Sequence, residues 1–143
     1  MTVKVILSDK GRSVVTQHPD ATLAEICETL ATHKIGAVVL TTRDGDIAGI
    51  LSERDVVRAL AQEGAGALSQ KAAGYMSRNV VTCHEEETTH DVMTKMTAGR
   101  FRHMPVVKAG RLIGVVSIGD VVKRRIEQVE KDAEEIRNYI ATA

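Results

Sequence analysis

The stretch Gly49-Ile50-Leu51-Ser52-Glu53-Arg54-Asp55-Val56-Val57-Arg58 returns in outline as Gly114-Val115-Val116-Ser117-Ile118-Gly119-Asp120-Val121-Val122-Lys123. Upstream of it, Val14-Val15-Thr16 is matched by Val80-Val81-Thr82. The upstream offset is 66 residues and the downstream offset 65. A single residue therefore separates the copies, most simply in the turn where Arg43-Asp44-Gly45-Asp46 faces Lys108-Ala109-Gly110-Arg111. A chain that repeats at such a period builds one supersecondary unit twice, and every other assignment has to fit inside that constraint.

Periodicity gives both copies the same elements. A short strand, Val14 to Thr16 or Val80 to Thr82, leads into an amphipathic helix. Its apolar face is Leu23, Ile26, Cys27 and Leu30 in the first copy and Val92, Met93 and Met96 in the second. A hairpin follows: Ala37 to Thr41 with Ile47 to Leu51, and Met104 to Val107 with Leu112 to Val116, each closed by a polar turn containing Gly. A second helix begins at once, near Glu53 and near Ile118. The unit is β-α-β-β-α, twice.

One such unit, about 50 residues long, rarely buries enough surface alone. The expected fold is mixed α/β (α+β), with two pseudo-twofold-related repeats packed sheet to sheet. Residues 1–63 are assigned to the first repeat with a leading helix at Val3 to Leu7. Residues 64–71 form a linker, 72–125 the second repeat with its own leading segment at Ala72 to Met76, and 126–143 a C-terminal helix, all within one module. With 18 Val, 10 Ile and 8 Leu against one Phe, two Tyr and no Trp, the core must be aliphatic, which suits a Val-rich sheet.

Composition also excludes several functions. Nineteen basic and nineteen acidic residues cancel, and stacking aromatics are scarce, so no nucleic-acid partner is expected. No apolar run reaches membrane-spanning length, and the apolar stretch after Met1 is too short for a signal peptide, so no membrane and a cytoplasmic location are expected. Cys27 and Cys83 read as reduced structural thiols. Cys83, His84 and His90 match no common zinc spacing, and neighbours on a strand point to opposite faces, so no metal site is expected. No nucleophile-base arrangement and no phosphate-cradling Gly-x-x-x-x-Gly-Lys loop occurs; neither catalysis nor a catalytic cofactor is expected.

The repeated motif itself admits two readings. Ser-x-x-Asp at a helix start is close to a capping box, in which the Ser hydroxyl and the acid at the third helical position satisfy each other's backbone amides. The same helix start can serve as a nucleotide site: the dipole and free amides favour an anion, the hydroxyl can donate to a phosphate, and a short carboxylate can accept from both hydroxyls of a ribose. Occurrence of both residues twice, at the same place, favours ligand binding. Arg54 in the first copy adds a phosphate partner, where Gly119 in the second offers only backbone.

The doubled order of Val-Val-Thr, helix, hairpin and Gly-x-x-Ser-x-x-Asp-Val-Val resembles a tandem pair of CBS domains, the Bateman module, over practically the whole chain. The resemblance implies a stand-alone, non-catalytic sensor that binds an adenine nucleotide such as AMP, ATP or NAD in the cleft between its repeats. It implies ribose binding by Asp55 and Asp120, phosphate-side contacts from Ser52 and Ser117, and a cleft lined from Arg102, His103, Met104 and Pro105. Arg102 and His103 resemble the phosphate ligands of nucleotide-sensing members. The matching first-copy stretch, Ile35, Gly36 and Ala37, is uncharged and suits the wall against a base, and the opening strands at Val14 and Val80 complete the expected lining. Two such modules commonly associate, so a homodimer is expected, with a further, unidentified protein as a target. The rival is a structural interaction module whose Ser-x-x-Asp pairs are caps; a third reading is a variant responsive to S-adenosylmethionine or a metal.

The C-terminal residues Val122, Ile126, Val129, Ala133, Ile136 and Ile140 are spaced 4, 3, 4, 3, 4, as in a coiled-coil seam. Docking of the helix on its own core and pairing with another chain fit this spacing equally.

Overall fold

In the computed structural model, which describes residues 1–142, the chain runs α1 (Val3–Lys10), β1 (Thr16–Gln17), α2 (Leu23–His33), β2 (Ala37–Thr41), β3 (Ile47–Ser52) and α3 (Glu53–Glu63). After two short 3-10 turns, Gly64–Ser69 and Ala72–Gly74, come α4 (Thr89–Gly99), β4 (His103–Lys108), β5 (Arg111–Ser117) and α5 (Ile118–Thr142). The repeat extends to details of capping. Thr22 accepts the Glu25 amide at the start of α2, and Thr88 accepts the Asp91 amide at the start of α4. Both helices end on a residue in the left-handed region, Lys34 (φ 53°) and Arg100 (φ 56°). The following amides, Ile35 and Phe101, return to the carbonyls of Leu30 and Met96.

The first repeat forms a three-stranded sheet in the order β1-β2-β3, β1 parallel and β3 antiparallel to β2. The second forms the hairpin β4-β5, and its opening strand shrinks to a single parallel bridge from Cys83 to Val106. The strands expected at Val14 to Thr16 and Val80 to Thr82 are thus corrected: pairing starts at Thr16 in one copy and is confined to Cys83 in the other. The length difference between the copies is absorbed at the hairpin. A register shift lies between Leu40↔Gly49 and Thr41↔Ile47, ahead of a turn that uses Gly45 at φ 87°. In the second hairpin only Ala109 and Gly110 connect the strands, both at positive φ (51° and 76°), the signature of a tight primed turn. An alanine there carries a steric penalty that Asn largely escapes. Ala109→Asn is expected to raise stability by about 0.5–1 kcal/mol, seen as a melting point higher by a few degrees.

The chain divides into two compact bodies. One comprises Ser13–Val81 with the hairpin tip Ala109–Leu112; the other comprises Met1–Arg12, Thr82–Lys108 and the chain from Ile113 on. The first body packs Leu23, Ile26 and Leu30 of α2 against Val38, Leu40 and Leu51 of the sheet. The second packs Val92 and Met96 of α4 against Cys83, Met104, Val106 and Val116, and Val3, Ile6 and Leu7 of α1 complete that core. This corrects the assignment of the leading helix to residues 1–63: α1 belongs with the second repeat, while Ala72, Tyr75 and Met76 pack in the core of the first.

Each motif glycine shows why. A Cβ on Gly114 would lie 2.6 Å from Leu7 Cδ2, and one on Gly49 would lie 2.6 Å from Met76 Sδ and 2.8 Å from the Ser77 carbonyl. The glycines are the seats of the two leading segments, which are exchanged between the repeats. The segment 64–71 is likewise no bare linker, since Ala67 is wholly buried in the first core. Nor is 126–143 a separate helix, because α5 runs unbroken from Ile118 through Thr142; residue 143 falls outside the described residues. No helix among the described residues is long and apolar enough to cross a membrane.

Candidate functional site

Both Gly-x-x-Ser-x-x-Asp motifs run off a strand directly into a helix, and the bonds they make there are the same. The Ser52 amide donates to Asp55 Oδ2 at 2.8 Å and the Asp55 amide to Ser52 Oγ at 3.3 Å. The Ser117 amide donates to Asp120 Oδ2 at 2.9 Å and the Asp120 amide to Ser117 Oγ at 3.1 Å. The reciprocal cap read from the sequence is formed in both repeats. One further backbone bond ties each helix start to the stretch before its hairpin: Glu53 N–H to Gly36 O at 2.9 Å, and Ile118 N–H to Arg102 O at 2.8 Å. Two of the first three amides of each helix are therefore engaged, leaving the dipole and the carboxylate as the main attractions for a ligand.

The surroundings of the two carboxylates differ. The side chain of Asp55 is 20% exposed; its Oδ2 also accepts the Ser52 hydroxyl at 3.0 Å, and its Oδ1 faces Arg58 Nη1 at 3.4 Å. Asp120 is 26% exposed, and Lys10 Nζ, from the end of α1, donates to its Oδ2 at 2.6 Å. Burial by itself would push the Asp120 carboxyl up. The Lys10 ammonium and the bonds from Ser117 outweigh it and hold the group below the ordinary aspartate value. A depressed carboxyl contributes stability above the ordinary value, and that contribution fades as pH falls through the lowered one. Lys10 carries no motif signal: it stands 110 residues from its partner and reaches it only because α1 packs in the second body.

The other expected site residues fall into three groups. Arg54 and Arg102 are exposed and His103 is half-buried at the start of β4. The Gly36 and Arg102 carbonyl bonds bring those two backbones beside the helix starts of Asp55 and Asp120 respectively. Ile35 and Gly36 line an open groove of about 520 Å³ between α2 and α3, with Cys27, Leu30, Glu53 and Val57 among its walls; Asp55 does not line it. Glu53 and Asp55, two residues apart on α3, face different ways. Ala37, Met104 and Pro105 are buried, Val14 is half-buried, and Val80 is half-buried and belongs to the body of the first repeat.

Among the described residues no three or more His, Cys, Asp or Glu side chains converge as a metal site would require. Cys83 and His84 do point apart: Cys83 is wholly buried, its thiol pushed up to about 12 mainly by burial, while His84 is exposed with Nδ1 3.1 Å from the Val107 carbonyl.

The family model for the CBS domain matches twice, at residues 11–62 and 72–127. The mitochondrial CBS domain-containing protein CBSX3 of Arabidopsis thaliana is 30% identical over 97% of this chain and 71% of its own length. The crystal structure of the CBS-domain containing protein ATU1752 from Agrobacterium tumefaciens superposes with a TM-score of 0.86 at 52% identity, covering 87% of this chain and 99% of that one. The CBS domain pair of MJ0100, in complex with 5′-methylthioadenosine and S-adenosyl-L-methionine, matches with a TM-score of 0.80 at 28% identity, over 90% of this chain and 98% of that one. PAE2072 from Pyrobaculum aerophilum, complexed with AMP, matches with a TM-score of 0.75 at 32% identity, over 84% and 89%. With the doubled motif, the doubled caps and these likenesses in agreement, the chain belongs to the CBS-domain proteins and carries the domain as a pair.

Proposed function

We propose that this CBS pair is a non-catalytic sensor of an adenine nucleotide of the AMP, ATP or NAD type, working as a homodimer or through a protein target. Asp55 and Asp120 hold the ribose hydroxyls, and Ser52, Ser117, Arg54, Arg102 and His103 supply the phosphate side. The observation that carries the reading is the duplicated, partly exposed carboxylate at a helix start, each tied to the stretch before its hairpin. A cap alone has no need of the charge. It asks only for an acceptor, which Gln also provides in capping boxes, whereas a ribose diol is gripped best by a fixed carboxylate.

The ligands of the neighbouring structures, AMP in one and 5′-methylthioadenosine with S-adenosyl-L-methionine in the other, share an adenosine with a free ribose diol. They differ in what extends beyond the ribose. A second reading, a sensor of S-adenosylmethionine, draws support from the MJ0100 complex. The basic side chains at Arg54 and Arg102 favour a phosphate over a sulfonium, because like charges repel.

Mass spectrometry of small molecules released from the purified protein, followed by calorimetric titration with AMP, ATP, NAD and S-adenosylmethionine, tests the proposal. A phosphate-bearing adenine compound is the expected occupant. Arg102→Ala should weaken AMP by about tenfold or more, the loss of one charge-assisted hydrogen bond, and leave adenosine nearly unchanged. Equal losses for the two ligands would remove Arg102 from the phosphate side, and no binding of any of them by a well-folded protein would leave the helix starts as caps only.

A further inference from the structure

The face of α5 that carries Val122, Ile126, Val129, Ala133, Ile136 and Ile140 is not covered within the chain: Ile126 is 53% exposed, Val129 and Ile136 60%, and Ile140 68%. The helix is attached through a different face, where Val121 is wholly buried and Arg124 pairs with Asp9 of α1. Docking on the chain's own core accounts for the first two turns of α5 and leaves the seam open.

We infer that the seam is closed by α5 of a second copy of this chain, running parallel and in register. Charge decides both the occupant and the direction. With Ile126, Ala133 and Ile140 at a, and Val122, Val129 and Ile136 at d, the e positions are Lys123, Glu130 and Arg137 and the g positions Arg125, Asp132 and Tyr139. In a parallel pair each g residue faces the e residue five places on in the other helix. Arg125 then meets the partner's Glu130, and Asp132 meets the partner's Arg137; the twofold axis makes each attraction twice. An antiparallel pair centred on the same seam would oppose Glu130 to Glu130, Asp132 to Asp132 and Lys123 to Arg137, all of like sign. A face complementary to itself fits another copy of the same chain.

The number of strands follows from the middle of the seam. β-Branched residues at Val129 and Ile136 in d favour three strands when the a layer is equally bulky. Here the central a layer is Ala133, and three alanines would leave a void along the wider axis of a trimer, whereas two helices can close over them. A dimer results. This deepens the homodimer reading by naming its surface and does not depend on a nucleotide.

The test uses the full chain in a Cys27→Ser background, since Cys83 is wholly buried. In a parallel pair Val129 lies opposite the partner's Val129, so Val129→Cys should form a disulfide with itself in a glutathione redox buffer. Glu127→Cys, on the outer surface of the pair, should not. Light scattering should give the mass of a dimer. Glu130→Arg should raise the dissociation constant on the order of tenfold, and the exchange Arg125→Glu with Glu130→Arg should restore it. Arg125, Glu127, Val129 and Glu130 are exposed, so a thermal melt of the two bodies unchanged from that of the Cys27→Ser background under dissociating dilution controls for folding. A monomer or trimer mass, Val129→Cys linking no faster than Glu127→Cys, or a charge exchange that fails to restore association would each overturn the inference. Dimer mass without the Val129→Cys link would overturn the seam while leaving the homodimer reading in place, and titration with AMP reports the nucleotide reading separately.

Discussion

Leu7→Ala is expected to lower the stability of the body built on the second repeat by about 3–5 kcal/mol, the range for emptying a fully buried leucine site. Leu7 is wholly buried, sits with Val3 and Ile6 in the core of Cys83, Met104, Val106 and Val116, and rests on the backbone of Gly114. Hydrogen exchange of the β4 and β5 amides reads this body directly. A loss below about 1 kcal/mol there, the size of an ordinary surface substitution or less, would mean that α1 does not complete this core. The glycine gives a second, sharper readout. Gly114→Ala alone should destabilise, because its Cβ enters the space of the Leu7 side chain; combined with Leu7→Ala it should recover part of the loss, since the new methyl partly fills the cavity. The same pairing should fail in the other repeat. Gly49→Ala drives its methyl into the Ser77 carbonyl as well as Met76, and the Ile50–Ser77 backbone bonds at 2.9 and 3.0 Å hold that carbonyl in place, so trimming Met76 offers no relief.

These contacts also show what was legible in the sequence and what was not. The hairpins fall within one or two residues of the expected positions because alternation and Gly-containing turns are local signals. The helix starts at Ser52 and Ser117 are equally local, and both their chemistry and their geometry could be read from three residues of spacing. The left-handed helix ends at Lys34 and Arg100 gave no sign, since Lys and Arg at those positions do not advertise a positive φ as Gly would. The exchange of the leading segments was hidden for another reason. Two short apolar segments can each cover either sheet equally well as far as periodicity is concerned, and the deciding contact joins Leu7 to Gly114. The Lys10–Asp120 pair follows from that exchange and was hidden with it. For the C-terminal seam the spacing was plain, but a heptad stripe looks the same whether its own chain or another covers it; only the exposure of Val129 and Ile136 separates the two.

For the nucleotide reading, the largest effect is expected from Asp55→Asn. Asparagine keeps an oxygen that can accept the Ser52 amide, so the cap of α3 survives and stability should fall by less than about 1 kcal/mol. The negative charge is gone, and on that reading each charge-assisted hydrogen bond lost to a ribose hydroxyl should cost about 1.5–3 kcal/mol. Adenosine affinity at that site should drop at least tenfold, and further if both hydroxyls are held. Asp120→Asn should cost less, because Lys10 already occupies Asp120 Oδ2 at 2.6 Å and a ribose has to displace it or share the carboxylate. Two unequal sites should therefore be resolved by calorimetry with adenosine, a probe without phosphate on which Lys10 has no compensating anion to bind. Lys10→Ala should then strengthen the weaker site and bring the two closer, while Asp55→Asn removes the tighter one. Equal sites that remain equal in Lys10→Ala would overturn the competition between Lys10 and a ribose at Asp120, and a stability loss in Asp55→Asn with no change in adenosine affinity would assign the Asp55 carboxylate to the helix cap alone.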